Sequence, residues 1–378
     1  MDFDLLVVGA GIHGAGVAQA AAAAGYSVVV VERTAPAAGT SGKSSKLIHG
    51  GLRYLETAQV PLVYESLAER RWMLAHAPHL VRLLPMHIPV YADTRRSSLT
   101  IRAGLSAYAL LGGLHRHERF HALDRPAWDT LDGIATRGLR AVYRYFEAQT
   151  DDSALTRAVL ASAEHLGGIV RMPAEVIGAG ACEGGVAVKI SHEGHESTLR
   201  ARAVVNAAGP WASRVATRLG VASPAVDLVQ GTHLEFDGSL SEGAYYVEAP
   251  TDGRAVFVMP WRGRTLVGTT ERVYTGDPAA AAPTDDERDY LVATYTRYFP
   301  QRDATPVAAW AGLRVLPAAD KSAFRRPRET VFDATDRVVS IYGGKLTTWR
   351  RTAQDALHLC SDWLPPASRR ADIRRIPL

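Results

Sequence analysis

The sequence predicts an α/β protein, a doubly wound domain interrupted by an inserted α+β domain that carries an antiparallel sheet. Three observations predict it. An apolar run, a glycine-rich turn, an alanine-rich segment and a second apolar run follow one another within the first thirty-two residues, the order of a β-α-β unit. Residues 226–270 alternate apolar and polar side chains in several short runs, as an antiparallel sheet does when one face is covered. Residues 204–209 form an apolar strand ending in small residues, which let the chain pass close to a bound ligand.

Bulk composition sets the limits. The chain has 378 residues, 47% apolar and 22% charged, with a formal charge of +4. It can bury a large core, so disorder is excluded, and the charge is too small to read as nucleic-acid binding. The two cysteines, Cys182 and Cys360, lie far apart, which excludes a disulfide framework and a zinc cluster. Met1-Asp2-Phe3-Asp4 is acidic and runs straight into an apolar strand, so no secretory signal is read and a cytoplasmic location is expected. The nearest approach to a membrane span, residues 99–114, is interrupted by Arg102 and by glycines.

In the first unit, residues 5–8 are a strand, Gly9-Ala10-Gly11-Ile12-His13-Gly14 the turn, and the segment to Ala24 a packed helix that Gly25 stops. Residues 28–31 are β-branched and too apolar for a half-exposed strand, as in the centre of a parallel sheet. In this Rossmann-like setting each glycine has a separate task. Gly9 makes the tight turn, Gly11 admits a pyrophosphate, and Gly14 packs helix on strand. The phosphate sits on the helix N-terminus. Glu32, eighteen residues after Gly14, stands near the spacing at which an acid receives the ribose hydroxyls of an adenosine. The pattern alone does not separate FAD from NAD.

Thr40-Ser41-Gly42-Lys43-Ser44-Ser45-Lys46-Leu47-Ile48-His49-Gly50-Gly51-Leu52-Arg53-Tyr54-Leu55 resembles the signature of the FAD-dependent glycerol-3-phosphate dehydrogenases of the aerobic, respiratory type. Tyr342-Gly343-Gly344-Lys345-Leu346-Thr347-Thr348-Trp349-Arg350 is similar to that family's C-terminal flavin-binding segment. Between them Asp151-Asp152-Ser153-Ala154-Leu155, residues 204–211 (VVNAAGPW), Gly231-Thr232-His233, Gly268-Thr269-Thr270 and Gly312-Leu313-Arg314 recur in the family's order. Two motifs depart from it. Glu271 replaces an aspartate after Gly-Thr-Thr, and Val315 replaces a proline after Arg314. The chain is read as lacking the family's helical C-terminal domain.

The resemblance implies FAD, held non-covalently because no residue is identifiable as an attachment point. The implied contacts are Gly9, Gly11, Ile12, His13, Gly14, Glu32, Arg33, Thr40, Ser41, Ser44, Ser45, Lys46, Leu47, His49, Gly50, Gly51, Val176, Ala207, Ala208, Gly209, Trp211, Gly344, Lys345, Leu346 and Thr347. It also implies oxidation of sn-glycerol 3-phosphate to dihydroxyacetone phosphate by hydride transfer to the flavin, with electrons passed to a quinone. The alternatives are an oxidase of another small anion, a 2-hydroxy acid or amino acid, with oxygen as acceptor, or a flavin-binding protein without turnover. Intact Arg53, His233, Arg314 and Lys345 argue against the last.

Oxidising a secondary alcohol needs a group that takes the hydroxyl proton and a cradle for the other end of the substrate. His233, in a cap strand, is the leading proton acceptor and His49 the runner-up. Arg53, Arg314 and Arg328 are the phosphate candidates, since guanidinium forks match phosphate oxygens. Arg328 aligns only with a one-residue gap. Tyr54 and Thr270 are expected to orient substrate hydroxyls, and Lys345 to contact phosphate or the reduced ring. No Ser-His-Asp order, His-Glu-x-x-His or P-loop is present, and no metal is expected.

The motifs divide the chain into a discontinuous FAD-binding domain, residues 1–75, 145–215 and 305–378, and a substrate-binding cap, residues 76–144 and 216–304. Residues 154–166 read as a helix and 168–203 as a meander. Between Arg70 and Tyr145 twelve Arg stand against five Asp or Glu, interleaved with leucines. Two readings stay open: a surface for anionic lipid, which would place the protein on the inner face of the cell membrane, and a solvated arginine-rich face.

Overall fold

β1 (Phe3–Val8) turns at Gly9 into α1 (Ile12–Ala24), which returns the chain to β2 (Val28–Val31) beside β1. Gly9 has φ 102°, a left-handed conformation open to glycine. A β-carbon on Gly14 would lie 1.9 Å from the Gly9 carbonyl oxygen, so helix and turn approach more closely than any other residue allows. α1 is alanine-rich and buried nearly all round, the state of a helix covered on every side. Its neighbours are the helices Asp152–His165 and Trp349–Leu359, whose Leu155, Val159, Trp349 and Ala353 share its core.

The computed structural model describes residues 1–318 and 330–378. Among these, an eight-stranded sheet has the order Val331–Thr335, Val338–Tyr342, His195–Asn206, β1, β2, Ile169–Arg171. The central pairs are parallel, Val8 standing opposite both Val31 and Asn206. Ala174–Cys182 pairs antiparallel with Gly185–His192, which pairs antiparallel with His195–Asn206, so the meander expected for residues 168–203 begins at Ala174; Ile169–Arg171 pairs parallel with β2 instead.

A second, ten-stranded sheet forms the cap. Val226–Phe236, Ala244–Glu248, Ala255–Trp261 and Arg264–Gly268 supply its antiparallel part, and the helix Asp285–Tyr298 covers one face through Leu291 and Tyr295. The boundary expected at residue 145 falls inside one continuous strand, Leu139–Thr150, which pairs with both Val81–Tyr91 and Leu47–Ile48. The strand Pro306–Pro317, expected in the FAD-binding part, instead pairs along its length with Val226–Phe236 of the cap sheet. Single strands thus carry the chain between the two parts. Pairing follows register, which motif position does not reveal.

α2 (Val60–His76) and α3 (Ser98–Leu111) lie beside the cap sheet, burying Val63, Leu67, Ile101, Leu105 and Tyr108 in one cluster. Among the described residues no helix is long and apolar enough to cross a membrane.

Candidate active site

A cleft of about 600 Å³ is lined from both sheets. At one end stands the N-terminus of α1. Its N-cap, Gly11, offers no side chain, and the first turn holds no acid, so the positive end of the helix dipole is left for an anion. The Ile12 amide donates to Ser41 Oγ at 2.9 Å. Glu32 Oε2 accepts the Ala10 amide at 2.8 Å and Oε1 the Thr34 amide at 2.7 Å, which fixes the carboxylate at the end of β2. Arg33 lies 4.9 Å over the Trp211 ring.

Gly9, Gly11, Ile12, His13, Glu32, Arg33, Thr40, Ser41, Ser44, Ser45, Leu47, His49, Gly51, Val176, Ala207, Ala208, Gly209, Trp211, Gly344, Lys345, Leu346 and Thr347 all line this cleft. His13 Nε2 and Trp211 Nε1 are buried without a hydrogen-bond partner among the described residues. Such atoms, with the open helix end, fit an elongated dinucleotide whose oxygens would satisfy them. Burial lowers the His13 pKa to about 4, so its ring is neutral.

Gly14, Lys46 and Gly50 do not line the cleft. Lys46 is buried and pairs with Asp152 at 2.7 Å, its Nζ also donating to the Gly42 carbonyl at 2.8 Å. The same carboxylate accepts the Ser44 amide and hydroxyl at 2.9 and 2.7 Å. Lys46, Ser44 and Asp152 therefore staple the loop to the helix Asp152–His165. Thr40 likewise gives its hydroxyl to the Leu313 carbonyl at 2.6 Å.

The other end of the cleft is basic. Arg53, Arg254 and Arg314 all line it. Arg254 meets Glu271 at 2.7 Å and Arg314 meets it at 3.5 Å, while Arg314 Nη2 donates to the Thr270 carbonyl at 2.9 Å. Glu271 is almost fully buried, and its extra methylene over aspartate accompanies contact with both guanidinium groups. Burial opposes the charge on Arg53, but Tyr54, Glu271 and Tyr246 outweigh it and raise its pKa. Tyr54 carries Lys345 Nζ 3.8 Å over its ring centroid and the Arg53 guanidinium at 5.3 Å.

His233 lines the cleft and is 2% exposed. Its Nε2 lies 2.9 Å from Ser45 Oγ, and its ring stacks on Trp310 at 5.5 Å between centroids. Burial, then the charges of Lys46 and Arg314, lower its pKa to about 3, so the imidazole is neutral and can accept a proton. His49 is half-buried, its ring 6.4 Å from that of Tyr54 and its amide donating to Thr347 Oγ1 at 3.2 Å.

Thr270 stands outside the lining. Its hydroxyl donates to Glu287 at 2.5 Å and accepts the Thr232 amide at 2.8 Å, so it braces the turn that supplies Arg314 with a carbonyl. The expectation that it orients substrate finds no open hydroxyl here. Arg328 lies outside the described residues. Arg254 and Tyr246 were not anticipated. Neither has a local signal: all five residues of the strand Ala244–Glu248 are buried, so no alternation marks Tyr246, and Arg254 follows an Asp-Gly turn.

The profile of the family described as FAD dependent oxidoreductase matches residues 4–347. A protein of Pseudomonas aeruginosa named glycerol-3-phosphate dehydrogenase is 37% identical over 368 residues, covering 94% of this chain and 71% of its own length. One of Brucella abortus named D-erythritol 1-phosphate dehydrogenase is 33% identical over 370 residues, covering 94% and 73%. The solved glycerol-3-phosphate dehydrogenase of Bacillus halodurans, complexed with FAD, superimposes with a TM-score of 0.75 at 26% identity, covering 100% of this chain and 68% of that one. With this fold, this cleft and these relatives, the chain belongs to the FAD-dependent oxidoreductase family and is an FAD enzyme akin to the glycerol-3-phosphate dehydrogenases.

Proposed function

We propose that the enzyme oxidises sn-glycerol 3-phosphate to dihydroxyacetone phosphate and passes the electrons to a quinone. The convergence of Arg53, Arg254 and Arg314 on one end of the cleft, with Glu271 the carboxylate they share, carries this reading. Guanidinium forks gathered at one end of the cleft match the oxygens of a phosphate dianion.

FAD would be held by the α1 N-terminus, Glu32, the Ser41–Ser45 loop and the Gly344–Thr347 segment. When bound it supplies the acceptor for the hydride that leaves the alcohol carbon. His233 takes the hydroxyl proton, with His49 as the second candidate. Because the Arg314 charge helps to depress the His233 pKa, a phosphate on Arg314 offsets it and makes the imidazole more basic in the complex. Tyr54 and Lys345 hold the substrate from the side of the His49–Tyr54 loop.

The absorbance of the purified protein under argon, before and after adding glycerol 3-phosphate, tests the reading. Bleaching by glycerol 3-phosphate and not by glycerol is expected. Equal bleaching by glycerol, or none by either, overturns it. A second reading, D-erythritol 1-phosphate, is favoured by the Brucella relative's name. The arginines recognise the phosphate and not the length of the polyol, so both phosphates belong in the same panel.

The exposed side chains Leu99, Leu110 and Leu114, at 77%, 65% and 49%, stand on or just after α3 with exposed Arg102, Arg116 and Arg119. This pairing of leucine and arginine supports peripheral contact with an anionic membrane, where a quinone would be reached.

A further inference from the structure

Glu147 lines the cleft yet has no part in the chemistry proposed above. It is 2% exposed, on the strand Leu139–Thr150. Its Oε1 accepts the hydroxyl of Tyr108, on the inner face of α3, at 2.5 Å. Its Oε2 accepts the Gly50 amide at 3.3 Å and pairs with Arg70 of α2, which also pairs with Glu118 and donates to the Phe146 carbonyl at 2.8 Å. Glu147, Arg70, Glu118 and Tyr108 are all buried. Gly50 itself is pressed against the network, since a β-carbon there would lie 2.3 Å from the Tyr108 hydroxyl and 2.6 Å from a Leu67 methyl.

The position of Gly50 makes this network more than core packing. His49 precedes it, and Gly51, at φ 81°, caps the short 3-10 helix Leu52–Thr57 that bears Arg53 and Tyr54. The amide that Glu147 holds is thus at the root of the segment carrying a phosphate-binding arginine and the ring beneath Lys345. Burial pushes the Glu147 pKa up, while Arg70 and Tyr108 stabilise the ionised form. A buried carboxylate with this many donors is fixed in orientation, because each lost donor leaves an uncompensated polar group.

We propose that Glu147 is a positioning residue: held by Arg70 and by Tyr108 of α3, it anchors the Gly50 amide and so sets where Arg53 and Tyr54 stand in the cleft. The proposal rests on the reading of Arg53 as a phosphate-binding group. Displacing a binding group by about 1 Å weakens capture of the substrate by up to about a hundredfold.

The test compares wild type, Glu147→Gln, Tyr108→Phe and Arg53→Ala, all loaded with FAD, by deuterium uptake of the peptide covering residues 47–54 and by steady-state kinetics with glycerol 3-phosphate. Glu147→Gln should speed exchange in that peptide about tenfold and raise KM about tenfold, with kcat changed less than about threefold. Tyr108→Phe, which keeps the ring and touches no cleft surface, should shift both in the same direction by less. It also carries the test if loss of the charge opposite Arg70 prevents folding. Unchanged exchange in both variants overturns the proposal. Faster exchange with unchanged KM, while Arg53→Ala raises KM, overturns it too, because the anchor would then not govern the arginine. If Arg53→Ala leaves KM unchanged, the phosphate reading of Arg53 fails, and the exchange data alone decide for or against the anchor.

Discussion

Gly268 faces His233 across two antiparallel strands, and a β-carbon at Gly268 would lie 2.2 Å from the imidazole Cδ2. The ring therefore occupies the space that a side chain at 268 would fill, held from above by Trp310 and at Nε2 by Ser45.

Gly268→Ala is thus expected to displace the imidazole without emptying the cofactor site. Overpacking of this kind costs about 1 to 3 kcal/mol of stability, and misplacing a proton acceptor lowers kcat by roughly ten- to a hundredfold. FAD content, melting temperature and kcat on one preparation check it. A variant with wild-type kcat would remove His233 from the proton-transfer role.

Arg314→Lys keeps a charge beside Glu271 but loses the fork, and Arg314→Ala loses both. A hydrogen bond to a charged group contributes about 1.5 to 3 kcal/mol, so Ala should lower kcat/KM by roughly one to two powers of ten, with Lys between it and wild type. Arg254→Ala should act in the same direction, since it shares the Glu271 carboxylate. If both alanine variants keep full kcat/KM for glycerol 3-phosphate, the phosphate assignment fails.

His13, His87 and His233 give a pH dependence of stability. Burial holds their pKa values at about 4, about 4 and about 3, against 6.5 for an ordinary histidine. Between those values and 6.5 the unfolded chain binds protons that the folded chain refuses, so stability rises with pH across that window. It is fully present above about pH 7 and lost as the pH falls toward 4, by several kcal/mol on the order-of-magnitude scale. Urea midpoints at pH 7, 5.5 and 4.5 should fall in that order, and His87→Gln should flatten the slope. A flat profile in the wild type would refute the neutral state of these rings.

The cofactor should be FAD held without a covalent bond. Acid precipitation is expected to release the yellow colour into the supernatant. Colour retained in the pellet would contradict it.

The leucines and arginines around α3 should direct binding to anionic vesicles, weakening as salt rises, because charges are screened over about 8 Å at physiological ionic strength. Equal partitioning onto neutral and anionic vesicles, or none, would leave these residues as a solvated face.

The sequence by itself determined what rests on neighbours along the chain. The turn from Gly9 to Gly14, the helix behind it and Glu32 at the end of the next strand form one β-α-β unit, in which Gly9 is required by its left-handed backbone and Gly14 by the Gly9 carbonyl beside it. The loop from Thr40 to Leu55 was equally legible, because its motif is long and contiguous. Tertiary structure decided what rests on pairing between distant strands. It put Thr270 inward onto Glu287, made Lys46 a buried partner of Asp152, carried Pro306–Pro317 into the cap sheet, and brought Arg254 beside Arg314 through Glu271. Side chains alternate between the two faces of a strand, so a shift of one residue in register sends a hydroxyl or a guanidinium to the opposite face. That register is set by the packing of the whole sheet and leaves no mark on the residues next to Arg254 or Thr270.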